Sequence, residues 1–135
     1  MRDTVTLVCG DFGKPHEGHL LHILKASQLG DELIIAIHPD GIKERKGYEP
    51  DPLWFRMATI AGWLNTFGIN GYIVLVKDTD ELCVKTLEWY HPQIYAKGGD
   101  RVPETMPQEE LDTCERLGIR IIYGVGEQIS ESRRR

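Results

Sequence analysis

The sequence predicts an α/β fold: a Rossmann-like three-layer sandwich with a five-stranded parallel sheet, made by a single domain over residues 1–135. Three observations predict it. Short β-branched, apolar runs alternate with amphipathic helical stretches along the whole chain. The apolar runs lack a polar face, so both sides of their sheet must be covered. Each connection is long enough to hold a crossover helix, which parallel pairing requires.

Taken in order, residues 4–9 (TVTLVC) are β-branched and apolar and read as a buried strand. Residues 17–29 carry Leu20, Leu21, Ile23, Leu24 and Leu29 at helical spacing, and Gly30 stops that helix. ELIIAIH, 32–38, reads as a second buried strand, followed by a polar, Pro- and Gly-containing loop over 39–51. Pro52 opens a helix over 52–66, with Leu53, Met57, Ile60, Ala61 and Leu64 facing inward. YIVLV, 72–76, is the third strand, and 79–90 is a helix stopped by His91-Pro92. QIYAK, 93–97, is the fourth strand. A helix over 106–117 ends at Gly118, IRIIYGV at 119–125 is the fifth strand, and the tail from 129 reads as one helical turn.

Composition narrows the function. Charged residues make up 27% and the net charge is −5, so a nucleic-acid partner is not expected. No apolar run approaches a membrane span, and the chain starts on a strand pattern without a signal peptide, so a cytoplasmic protein is expected. Cys9, Cys83 and Cys114 lie far apart, with no CxxC, and read as reduced, buried thiols. The cations cluster at Lys43, Arg45 and Lys46, at Lys97 and Arg101, and at Arg133–Arg135, where they could focus a field on a small anion.

Ligands of doubly wound sheets bind beyond the carboxyl ends of the strands. Three unusual segments fall there. The first is GDFGKPHEGH, residues 10–19; the others are His38-Pro39-Asp40 and Lys97-Gly98-Gly99-Asp100. Gly10 and Gly13 allow a tight turn after the first strand. The following helix presents free N–H groups and a partial positive charge to that turn, which favours phosphate. His16 and His19, three apart, share a face; Gly18 between them blocks nothing; Lys14 adds a point charge. The pattern is neither a Walker loop nor GxGxxG, and HExH lacks the HExxH spacing of a zinc protease.

His16-Glu17-Gly18-His19 resembles the HxGH signature of the nucleotidyltransferase superfamily, which includes cytidylyltransferases and small adenylyltransferases. LGDELIIAIHPD is similar to the family's second strand, Lys46-Gly47, Pro52 and Arg56-Met57 to its KG…P…RM segment, and GEQISES to its late ISSS or ISTT segment. HPQIYAKGGD resembles the KGGD segment of the sugar-phosphate branch, which includes heptose-phosphate adenylyltransferases.

The resemblance implies transfer of CMP or AMP from CTP or ATP to a phosphorylated small metabolite, with release of pyrophosphate. It implies that His16, His19, Lys14 and Lys46 act on the reacting phosphates. Gly10, Asp11, Phe12, Gly18, Lys97, Gly98, Gly99, Asp100, Ser130 and Ser132 would hold the nucleotide, and Asp40, Arg56 and Trp54 the acceptor. Mg²⁺ is expected with the triphosphate, and a homodimer is expected because relatives pair. His22 reads as a surface or helix-packing residue, and His91 as the turn into the fourth strand. Asp11 and Gly13 depart from the family pattern, as does the late segment interrupted by Glu131. They motivate a second reading, a nucleotide-binding module without turnover.

Overall fold

The computed structural model describes residues 3–40, 49–99 and 101–126. Five parallel strands alternate with four α-helices: β1 (Val5–Gly10), α1 (Glu17–Ser27), β2 (Glu32–Ile37), α2 (Leu53–Thr66), β3 (Gly71–Leu75), α3 (Val84–Tyr90), β4 (Ile94–Ala96), α4 (Gln108–Leu117) and β5 (Arg120–Ile122). The strand order is β3-β2-β1-β4-β5. β1 is central: Val5–Gly10 runs in register with Glu32–Ile37 on one side, and Thr6 and Leu7 pair with Ile94 and Tyr95 on the other. The order reverses between β1 and β4. The loops leaving those strands therefore diverge and open a crevice at their carboxyl ends.

The alternation of side chains along each strand divides the core in two. Leu7, Ile34, Ala36 and Tyr95 face one layer with Leu87 of α3 and Cys114 of α4. Val8, Ile35, Ile37 and Ala96 face the other with Ile23 and Ala26 of α1 and Ile60 of α2. Leu7, Val8, Ile23, Ile35, Ile37, Ile60 and Leu87 are wholly buried. Each side chain of this size removed from water contributes on the order of 1.5–3 kcal/mol. The expected three-layer α/β architecture is thus the observed one.

Most element ends shift by a residue or two; the fifth strand ends at Ile122 rather than residue 125, and one difference is larger. The third helix begins at Val84 rather than residue 79. Asp78 is the physical reason. Its carboxylate accepts hydrogen bonds from the backbone N–H groups of Lys85 and Thr86 and from the Thr86 hydroxyl. It satisfies donors of the helix's first turn from six residues upstream of Val84, so residues 79–83 are left to form a loop. His91 ends α3 in the left-handed region, at φ 45°, and its Nε2 lies 2.9 Å from the Leu117 carbonyl, which ties the turn into β4 to the end of α4. Gly118 closes α4 at φ 72°, the conformation its position as a stop requires. Among the described residues, no helix is long and apolar enough to cross a membrane.

Candidate active site

The turn between β1 and α1 is held from below. Asp11 accepts a hydrogen bond from Gly13 N–H, Gly13 carbonyl accepts one from Asp51 N–H, and Gly10 carbonyl accepts one from His38 N–H. Phe12 takes φ 47° and turns its ring into the core, edge-on to His19 with centroids 5.3 Å apart. Phe12, expected at the nucleotide, thus packs against the His19 ring. Lys14 is exposed and lies 3.5 Å from Asp51, so its charge stands at the mouth of the turn.

His16 and His19 form a reciprocal cap on α1. His16 Nδ1 accepts from Gly18 N–H at 2.9 Å, and His19 Nδ1 accepts from His16 N–H at 3.2 Å. The rings stack with centroids 4.0 Å apart. Both Nδ1 atoms are acceptors, so the neutral rings carry their protons on Nε2. The cap therefore leaves two imidazole Nε2–H donors, on stacked rings, at the positive end of a helix. The His19 pKa is pushed down to about 4, first by burial and then by the neighbouring His16 charge, with Asp11 opposing and His22 adding to the shift. His19 is thus neutral near pH 7. Gly18 is needed here for space: a Cβ at this position would sit 2.8 Å from His16 Cε1.

Arg56 differs from its expected role. The side chain is wholly buried in the described structure, and it donates to the carbonyls of Asp51, Asp11 and His38 and to the Asp40 carboxylate at 2.6 Å. All of these partners are protein groups. Arg56 ties the ends of β1 and β2 to the start of α2 and is a positioning residue. Asp40, expected to meet substrate, is its partner and also accepts from Leu53 N–H at the start of α2. Trp54, also expected at the substrate, is 70% exposed and packs only edge-to-face on Phe55 among the aromatic contacts of the described residues.

The β4 side brings Lys97, Gly98 and Gly99 to the same sheet edge. A Cβ on Gly98 would lie 2.7 Å from His22 Nδ1 and 2.9 Å from the Val125 carbonyl. His22 Nδ1 meets that carbonyl at 2.8 Å and so carries its proton there, the opposite tautomer to His16 and His19. Burial lowers the His22 pKa, the bond to Val125 opposes that, and the Lys97 charge adds to it. His22 thus clamps the loops after β4 and β5 onto α1, and only its place on the motif's helix hinted at this. Lys97, expected at the nucleotide, directs its ammonium along the Tyr95 ring and donates to the Tyr95 hydroxyl at 3.2 Å.

Beyond that hydroxyl lies a cavity of about 410 Å³, reached by Cys9, His38, Lys97, Arg101 and Glu110. Buried Glu110 accepts from Tyr95 at 2.8 Å and from Cys83 N–H at 3.0 Å. Tyr95 is held protonated, its pKa raised well above the usual value by burial and by the Glu110 charge. Cys9 and Cys83, read from sequence as separate reduced thiols, are joined in a disulfide. The sheet brings them together across 74 residues, a separation invisible to any local pattern. Cys114 stays a buried thiol, with burial and Glu110 raising its pKa to about 11. Lys46, Asp100, Ser130 and Ser132 lie outside the described residues.

The family described as cytidylyltransferase-like matches residues 7–131. The chain belongs to that family. It is 32% identical over 106 residues to the bifunctional protein HldE of Photobacterium profundum, covering 76% of this chain and 21% of that protein. It is 30% identical over 109 residues to the HldE of Syntrophotalea carbinolica, covering 80% and 21%. The chain thus spans about a fifth of the length of these curated relatives. Among solved structures, a lipopolysaccharide core biosynthesis protein of Thermoplasma volcanium superposes with TM-score 0.67 at 24% identity, over 91% of this chain and 95% of that one. A bifunctional NMN adenylyltransferase/ADP ribose pyrophosphatase of Francisella tularensis gives 0.62 at 19% identity, over 90% and 38%. At these identities the two structures speak for the fold. The family membership makes the domain one of the nucleotidyltransferase class.

Proposed function

We propose that the chain transfers CMP or AMP from CTP or ATP to a phosphorylated sugar or polyol. An acceptor phosphate oxygen attacks the α-phosphorus, the bond to the β-phosphate oxygen breaks, and pyrophosphate leaves with that electron pair. The observation that carries this reading is the stacked His16–His19 pair, whose Nδ1 atoms cap α1 and leave both Nε2–H groups as donors. Two neutral donors fixed before substrate arrives stabilise charge that grows on the phosphate oxygens, without reorganising during the step. Lys14 at the turn's mouth, and Lys46 by family resemblance, offset triphosphate charge. Mg²⁺ enters with the triphosphate; Asp11, close enough to raise the His19 pKa, is the carboxylate in that neighbourhood.

The cavity beside β4 suits the acceptor. Its volume is that of a small-molecule site, with Lys97 and Arg101 to meet a phosphate and Glu110 and Asp80 to meet hydroxyls. A cytoplasmic homodimer acting on small molecules rather than nucleic acid belongs to the same reading, on the strength of the family resemblance and the acidic net charge.

Pyrophosphate release should be followed with CTP and with ATP in Mg²⁺ across a panel of phosphorylated sugars and polyols. One productive acceptor, with turnover lowered on the order of 10²–10³-fold in His16→Ala and in His19→Ala, is the expected result. Nucleotide binding without pyrophosphate from any acceptor would favour the non-catalytic module. Full turnover in both variants would remove these histidines from the site.

A further inference from the structure

We propose that Cys9, His38 and Cys83 form a site for one soft divalent cation of the zinc class, open to the cavity, whenever the Cys9–Cys83 bond is reduced. The inference stands apart from the nucleotidyl-transfer reading. It rests on three side chains that the fold draws together from the end of β1, the end of β2 and the residue before α3. Their ligand atoms all lie within 4.8 Å of one another.

A disulfide alone needs no third group. Here a buried imidazole stands nearly equidistant from both sulfurs, with His38 Nε2 3.9 Å from Cys9 Sγ and 4.0 Å from Cys83 Sγ. In a tetrahedral zinc site, with Zn–S about 2.3 Å and Zn–N about 2.0–2.1 Å, neighbouring ligand atoms lie roughly 3.5–3.8 Å apart. The imidazole already stands at nearly that spacing. Once the sulfur–sulfur bond is broken, only the two sulfurs must separate. The Cα atoms of Cys9 and Cys83 are 6.9 Å apart, just beyond the roughly 4.4–6.8 Å a disulfide usually spans.

The surrounding bonds hold the three backbones still. His38 donates its N–H to Gly10 and its carbonyl accepts from Arg56, while Cys83 N–H is bonded to Glu110. Two thiolates and an imidazole are a donor set that suits zinc. All three residues line one cavity, so the fourth coordination position faces it and is left to water or to a small molecule bound there. Binding replaces the two thiol protons by the cation and releases them to solvent. The disulfide offers no thiolate, so oxidation and metal binding exclude each other.

The test uses the full chain, reduced with a phosphine that leaves as its oxide, freed of metal by a chelator, and titrated with Co²⁺. One equivalent should give a thiolate-to-cobalt charge-transfer band that Zn²⁺ abolishes by displacement. The band should be kept in Cys114→Ser and lost in Cys9→Ser and in Cys83→Ser. His38→Gln should weaken cobalt binding at least ten-fold while its far-ultraviolet circular dichroism stays that of the parent. The oxidised protein should bind none at this site. No such band from the reduced parent, a band surviving in Cys83→Ser, or unchanged affinity in His38→Gln would overturn the proposal.

Discussion

Two regions share one edge of the sheet and are built in opposite ways. At the β1–α1 turn, polar groups are spent on neighbours in sequence: His16 on Gly18, His19 on His16, Asp11 on Gly13. What is left over is a helix terminus and two Nε2–H groups, one on an exposed His16 and one on a half-buried His19. In the cavity beside β4, polar groups are spent on residues far away in sequence: Glu110 on Tyr95 and Cys83, Cys9 on Cys83. The first region makes a ligand site from local geometry. The second makes one from topology, and its chemistry exists only once β1, β2 and β4 are paired.

The comparison predicts that damage to the turn should cost activity far more than stability. His16→Ala and His19→Ala should each lower turnover about 10²–10³-fold, as loss of one preorganised donor does. Removing the His16 cap should lower stability by only about 1 kcal/mol, read as a shifted urea midpoint. A stability loss of several kcal/mol in these variants would break the distinction.

Arg56 sits where the two regions meet, and the reverse is expected of it. Arg56→Met leaves three carbonyls and Asp40 without their donors. It should destabilise the fold by roughly 3 kcal/mol, seen in the same urea titration. A stable Arg56→Met that binds acceptor more weakly would return the arginine to the substrate role that sequence suggests.

That reversal marks how much the sequence made legible. The alternation of strands and helices, the sheet's parallel sense and the β1–α1 motif are local periodicities, so they could be read directly. The position of His16 and His19 was readable because an i, i+3 pair at a helix start leaves little freedom. The fate of Arg56 was not, since an RM pair on a helix reads the same whether the guanidinium faces solvent or three buried carbonyls. The start of α3 was misread because Asp78 caps from outside the helical pattern. Cys9 and Cys83 give no spacing signal, and the late segment around Ser130 and Ser132 is known only by resemblance.

A smaller effect sharpens the role of the His22 clamp between α1 and the segments after β4 and β5. Gly98→Ala must push its Cβ against His22 or the Val125 carbonyl and should cost about 1–3 kcal/mol, with activity falling as the β4 loop shifts. Gly62→Ala, where a Cβ meets nothing, is the control and should leave stability the same or slightly raised.

The smallest expected effect is a slope in pH. The His19 pKa falls from 6.5 in the unfolded chain to about 4 in the folded one. Between those values the unfolded chain binds more protons, so stability rises with pH from about 4 to 6.5 and is level above. His22, also lowered, acts in the same direction. The urea midpoint should fall on acidification through this window, and less steeply in His19→Gln. An unchanged slope would mean that His19 is charged in the folded protein.

The most direct test is the protonation of the two rings themselves. Imidazole nitrogen–proton correlation spectra should be recorded on the ¹⁵N-labelled protein at pH 7, before and after Mg²⁺ with CTP or ATP. The account predicts that His16 and His19 are both neutral Nε2–H tautomers, that His22 is the Nδ1–H tautomer, and that one nucleotide shifts the His16 and His19 Nε2 signals. Nδ1–H tautomers at His16 and His19, or Nε2 signals unmoved by either nucleotide, would contradict it.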